Sequence, residues 1–267
     1  QPDGRLLCVW FGGSKEGAAD TEIYSSLGTP VFRKRSLTPE DVKGKGLYDG
    51  KGQIELDVTC QWSDPVCLTQ MPEACWNPVL LVYQNKVCLF FKTGDRIADW
   101  QTFVMTSPTD PVYWSAPREL VPQDRNGGRG PVRTKPIILP SGRICAGGSV
   151  ERGDWQSFCD YSDDGGNTWQ RTALLGLNLL AENLPEAGNL LPEAQPDQTV
   201  LPPLSPQSFN GRGIIQPALW QEANGRVHMY MRSTEGYLYS SVSEDDGKHW
   251  TLSLIHISEP TRLRRIS

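Results

Sequence analysis

Histidine is scarce in this chain, three residues in 267, and none sits with a Ser nucleophile elbow. Nicotinamide fingerprints and phosphate loops are missing too, so no cofactor is expected. No apolar run reaches the ~20 residues that a membrane-spanning helix needs. Charge of one sign is also lacking: 26 Lys and Arg face 31 Asp and Glu, for a net charge of -5. Without a basic stripe, a nucleic-acid partner is not expected. Helical periodicity is absent from the repeated stretches described below. The opening residues, QPDGRLLCVW, carry no initiating Met, no basic start and no small-residue cleavage site. The N-terminus reads as cut, which leaves secreted and cytoplasmic locations both open.

Cysteine is present in an odd number, seven, without paired metal-ligand spacing, which argues against zinc. Cys88 and Cys145 fall at matching apolar places of a repeat and read as buried thiols. The trio Cys60, Cys67 and Cys75 leaves room for a disulfide.

That repeat dominates the sequence. NPVLLVYQNKVCLFFKTG from Asn77, KPIILPSGRICAGGSV from Lys135 and QPALWQEANGRVHMYMRS from Gln216 share one order: a polar residue, Pro, an apolar run, a turn with Asn or Gly, a basic residue and a second apolar run. Each reads as a β-hairpin. PDGRLLCVWFGG matches the later part of the same unit. His228 takes the place of the repeated Cys and reads as packed.

A second pair of runs follows each hairpin and meets at a turn ending in Trp. YSDDGGNTW (161–169) has a close copy in VSEDDGKHW (242–250) and a worn one in SPTDPVYW (107–114). Asp accepts bonds from nearby backbone N–H groups, Gly tolerates positive φ, and Trp fills a gap between sheets. The turn therefore reads as a fastener. A calcium loop would need more convergent oxygens and a closing Glu, so no metal is expected.

The pattern Ser-x-Asp-x-Gly-x-Thr-Trp is the Asp-box, and the chain resembles the sialidase-like BNR-repeat β-propellers over residues 1–252. The resemblance implies an all-β fold of four-stranded blades, here about 1–62, 76–114, 132–169 and 213–250. Such propellers have six blades, so the expectation is four of six, with truncation at both ends. Residues 254–267, within SLIHISEPTRLRRIS, break the alternation and read as a non-native adapter-like tail.

Propeller geometry places the Asp-boxes on the bottom face and the functional groups where the first strand of a blade begins and the second ends. These are Asn77, Arg133, Lys135 and Gln216, then Glu16, Asp20, Lys92, Asp95, Arg96, Glu151, Arg152, Asp154 and Arg232. Guanidinium groups with carboxyl groups suit an acidic sugar. In sialidases three arginines hold the substrate carboxylate, an Asp is the acid/base, and a Tyr helped by a Glu is the nucleophile. By resemblance MRS places Arg232 among the arginines, and WFGGSKEGAADTEIYSS offers Glu16 or Asp20 as acid/base. Arg133, Lys135, Gln216, Asn77, Lys92 and Glu151 are the expected substrate-binding residues. At the position of the helper Glu, GRGIIQP offers Ile214 and Ile215, which departs from the sialidase pattern. The implied function is a fragment of an exo-glycosidase acting on sialic acid or a related acidic sugar of a glycan. A carbohydrate-binding propeller without turnover and a polysaccharide lyase, with Lys135 or a Tyr as base, remain alternatives.

Overall fold

The computed structural model describes residues 3–36, 54–108, 113–124, 128–177, 211–235 and 237–255. They form four antiparallel sheets, each of four strands. The first holds β1 (Leu6–Gly12), β2 (Glu22–Ser36), β3 (Ile54–Trp62) and β4 (Val66–Cys67). The second runs β5 (Cys75–Tyr83), β6 (Lys86–Thr93), β7 (Gln101–Pro108) and β8 (Arg118–Glu119). The third is β9 (Ile137–Ile138), β10 (Ile144–Val150), β11 (Gln156–Ser162) and β12 (Gln170–Arg171). The fourth is β13 (Ile214–Gln221), β14 (Val227–Ser233), β15 (Leu238–Ser243) and β16 (Thr251–Ile255). Strands pair in sequence order in the last three sheets, as the repeated hairpins require.

Local chemistry sets the turns. Gln84 and Asn85, at φ 45° and 62°, join β5 to β6 with the two left-handed residues of a tight hairpin. The core lies between consecutive sheets: Ile23, Leu89 and Phe91 between the first and second, Phe90, Ile144 and Trp169 between the second and third, and Cys145, Met229 and Tyr239 between the third and fourth. All seven residues of β10 are buried. Two of them must be small: a Cβ on Gly147 would stand 2.3 Å from the Pro217 carbonyl oxygen, and one on Gly148 2.5 Å from the Phe158 ring. Gly147 thus lets the fourth sheet lie directly against the third, and Gly148 leaves room for the Phe158 ring of its own sheet.

The two Trp turns are built alike. Ser162 Oγ donates to Asp164 Oδ1 at 2.8 Å, and Ser243 Oγ to Asp245 Oδ1 at 2.8 Å. The same hydroxyls accept the N–H of Gly166 (2.8 Å) and Gly247 (2.9 Å). Trp169 and Trp250 donate their indole N–H to the carbonyls of Gly166 and Gly247. Trp169 then meets Phe90 edge-on at 5.9 Å, joining the second and third sheets. The polar groups of each turn bond one another and its Trp packs against the core, so these turns fasten. Arg143 links them to each other, with both carboxylate oxygens of Asp163 at 2.6 and 2.8 Å and the Asp246 carbonyl at 2.9 Å. Of the worn copy, residues 109–112 lie outside the described residues.

The first sheet differs from the expected blade ending near residue 62. Its blade strands are β1, the first half of β2, and β4, which pairs with Tyr24 and Ser25. β3 pairs with the second half of β2, from Gly28 to Ser36, and the two form an arm. The stretches QWSDP (61–65) and YWSAP (113–117) are alike in sequence and in the bonds of their Ser. Ser63 N–H bonds the Leu27 carbonyl (2.8 Å) while Ser63 Oγ accepts Leu27 N–H, and Ser115 does the same with Thr106. Cys60, Cys67 and Cys75 are free thiols, so the trio forms no disulfide. β16 continues through Ile255, just inside the stretch expected to be a tail; residues 256–267 lie outside the described residues.

Candidate functional site

Strand register fixes which groups share a face. In the third sheet Ile144 pairs with Ser162 and Val150 with Gln156; in the fourth Val227 pairs with Ser243 and Arg232 with Leu238. The Trp turns therefore sit at one end of these strands, and Glu151 and Arg232 at the other, with seven residues, roughly 20 Å, between. That is the separation expected of a structural and a functional face.

Three residues on the functional face adopt left-handed backbone: Asn77 (φ 45°), Arg133 (φ 63°) and Gln216 (φ 56°). Asn77 and Gln216 each precede a Pro at a break in register, Trp76/Val79 in β5 and Ile215/Ala218 in β13. A β-bulge re-aims the side chain it carries, and strained backbone of this kind costs of order 1–3 kcal/mol. Ile214 and Ile215 are 0% and 2% exposed, part of the buried layer of β13, and the polar residue presented at that point is Gln216. Its Oε1 lies 3.5 Å from Arg133 Nη1, the limit of hydrogen-bond reach. Thr134 Oγ1, one residue on, holds the Pro217 carbonyl at 2.6 Å, so the connection carrying Arg133 is tied to β13. Lys135 is exposed on the same connection.

Glu16 and Asp20 share the loop between β1 and β2. Asp20 accepts the Ser14 N–H at 3.1–3.2 Å and the Ser14 hydroxyl at 2.9 Å, which closes the loop. Glu16 is exposed. Gly17 at φ 79° lies over Trp76, where a Cβ would stand 3.1 Å from the ring. Trp76, which precedes Asn77, is flanked by Phe11 (5.9 Å) and Trp100 (5.3 Å). The loop is thereby seated beside the bulge of β5.

Lys92 is placed differently from its expected position on the charged rim. It is fully buried, donating to Thr102 Oγ1 (2.8 Å) and the Arg129 carbonyl (2.5 Å), and burial lowers its pKa from 10.5 to about 7. Arg129, unremarked in the sequence, makes a two-pronged contact with Asp160 at 2.8 and 2.9 Å and reaches Asp124 at 2.8 Å. Nothing local in RNGGRG signals a partner 31 residues away. This buried network joins the second and third sheets. Arg152 is turned toward the Ala98 carbonyl (3.0 Å) and Asp99.

The Arg232 side chain is exposed and, among the described residues, makes no hydrogen bond or ion pair. Glu151, half-buried, has its pKa raised by burial, with the charge of Arg232 acting against the rise. The structure thus brings together Arg133 with Gln216 and leaves Glu151 within the field of the Arg232 charge, while Lys92 is spent within the sheets. Among the described residues no helix is long and apolar enough to cross a membrane.

The family model described as BNR repeat-like domain matches residues 4–265. No curated protein matches the chain. A protein of unknown function from Dyadobacter fermentans is similar in structure at 12% identity and TM-score 0.59, over 96% of this chain and 66% of that one. The Trypanosoma rangeli sialidase in complex with the inhibitor DANA is similar at 14% identity and TM-score 0.52, over 94% and 36%. The NanB sialidase from Streptococcus pneumoniae is similar at 11% identity and TM-score 0.56, over 95% and 50%. At these identities the likeness is one of fold, the sialidase-like β-propeller. The chain spans 36–66% of the length of these solved structures.

Proposed function

The chain belongs to the BNR repeat-like domain family, and on that premise we propose that it is part of a sialidase-like exo-glycosidase that releases a terminal acidic sugar, sialic acid or a relative, from glycans. The observation that carries this reading is Arg232, an exposed guanidinium without an ion-pair partner among the described residues, on the face opposite the Trp turns. Guanidinium is planar, permanently charged and matched to a carboxylate. Arg133 stands beside Gln216 on the same face, and Lys135 adds positive charge. Together they supply an anion site that is stronger for a sugar acid than for a neutral sugar.

Proton transfer falls to the loop of Glu16 and Asp20. Ser14 orients the Asp20 carboxylate, while Glu16 stands in solvent on the same loop. The Asp-boxes hold the sheets and take no part in the chemistry. In a fluorogenic sialoside assay the longer protein should turn over substrate, and Arg232→Ala should lose at least about 100-fold in kcat/KM, about 3 kcal/mol, as expected for a lost charge-assisted contact. No turnover together with no binding of sialic acid would end the proposal.

Gln216 favours a second reading, a carbohydrate-binding propeller without turnover. Its side chain is an amide, which cannot take up a nucleophile's proton, and the neighbouring Ile214 and Ile215 are buried. Binding of sialic acid without any hydrolysis would select that reading.

A further inference from the structure

Most charged groups on the functional face are matched within the chain. Asp20 is held by Ser14, Asp99 meets Arg96 and Arg152, and Glu235 pairs with Arg212. Glu151 and Arg232, like the exposed Glu16 and Lys135, make no hydrogen bond to another described side chain, and of these Glu151 is half-buried. Glu151 and Arg232 stand at the same end of β10 and β14, with β13 between. Glu151 follows β10, which packs on β13, and β13 pairs Ile215 with Arg232. Ser157 Oγ, bonded to the Ile214 carbonyl at 2.9 Å, fixes the third sheet to that strand.

We propose that Glu151 and Arg232 compensate one another in the free protein, and that an acidic sugar, by setting its carboxylate on Arg232, binds with uptake of one proton at Glu151. The reasoning is electrostatic. A ligand carboxylate cancels the positive field that favours ionised Glu151, and it adds a like charge beside a carboxyl already half-removed from water. Both changes favour the neutral acid. The proton comes from solvent, so one negative charge and one proton enter together. Arg232 is the charge that acts on Glu151; of the nearby chain, Arg152 is turned to the Ala98 carbonyl and Asp99, and Arg212 is paired with Glu235. The described histidines are elsewhere, His228 beside Glu222 and His249 in a Trp turn. A neutral Glu151 would also offer the sugar a hydroxyl donor.

The inference rests on the acidic-sugar reading, and its test separates the two. Affinity for a carboxylate should fall as pH rises between the Glu151 pKa of the free protein and that of the complex, by at most about tenfold per pH unit. N-acetylneuraminic acid is titrated by calorimetry in buffers of different ionisation enthalpy, from about pH 5 to 7.5, where the sugar carboxylate stays ionised. Proton uptake approaching one is expected for the wild type and for Glu244→Gln, which removes an exposed acid at the opposite end of the strands. Glu151→Gln should bind without proton uptake and with a flat pH profile. Binding without proton uptake in the wild type, or uptake that persists in Glu151→Gln, would overturn the inference and leave the acidic-sugar reading standing. Absence of binding at every pH would remove both. If Glu151→Gln fails to fold, carbon-13 titration of the wild-type Glu151 carboxyl decides. An upward pKa change on adding the sugar supports the inference, and none refutes it.

Discussion

At Lys92 burial acts directly on protonation. Its ammonium is wholly enclosed, and its pKa falls from 10.5 to about 7. A lysine whose pKa is lower folded than unfolded is less protonated in the folded state between those values, so stability rises with pH from about 7 to 10.5 and does not vary with pH through this group below that window. The unfolding free energy should therefore increase between about pH 7 and 8.5 by at most ~1.4 kcal/mol per pH unit from this group. Lys92→Met, which retains the bulk, should flatten that rise in urea titrations. The window stops there because Cys75, pushed up to about 12 by burial, opposes the rise once unfolded thiols ionise near pH 9. Asp164 and Asp245 work in the other direction. Asp164 is lowered to about 2 by the Thr168 hydroxyl and N–H and by Ser162; Asp245 reaches about 2 because hydrogen bonds from His249 and Ser243 outweigh its burial. Their stabilisation is complete above pH 4 and is lost as pH falls toward 2, so Asp164→Asn should make acid unfolding less steep. Trp169, 7% exposed, is the costlier residue: Trp169→Ala should destabilise by about 3–5 kcal/mol in denaturant titrations.

Among the elements, the bulged strands β5 and β13 matter most for function. Gln216 holds φ 56° where most residues resist it, and Gly would not. Gln216→Gly should leave the protein equally stable or more stable by up to about 1 kcal/mol, while weakening sialic acid binding. A loss of stability without a change in binding would show that the bulge serves the fold. These elements also mark how far the sequence could be read. Hairpins, Trp turns and the face that carries Arg232 follow from periodicity and from Asp-Gly chemistry, which act within a few residues. Lys92 and Arg129 were beyond such a reading, because their partners, Arg129 and Asp160, are 37 and 31 residues away. The bulge was hidden for a different reason. A one-residue slip exchanges the faces of a strand, and IIQP does not reveal where the slip falls. The arm was hidden because its alternation continues that of β2 without a break.

For the molecule as a whole, four sheets are stacked face to face, and only the inner interfaces are filled. The outward face of the first sheet carries Phe32 (64% exposed), Val58 (53%) and Trp62 (50%), and that of the fourth carries Trp220 and Tyr230. Exposed apolar faces of this kind drive association. The chain as it stands should self-associate in light scattering at micromolar concentration, and Phe32→Lys with Trp62→Arg should reduce the effect. A monodisperse wild-type chain would contradict that expectation. The same stack carries the central claim: Trp turns fasten one face, and the opposite face receives an acidic sugar at Arg232. Most direct is a crystal structure with bound N-acetylneuraminic acid. The account predicts its carboxylate at about 2.8 Å from the Arg232 guanidinium, the spacing of a charge-assisted pair. A sugar bound instead at the Trp169 and Trp250 turns, with Arg232 untouched, would contradict it.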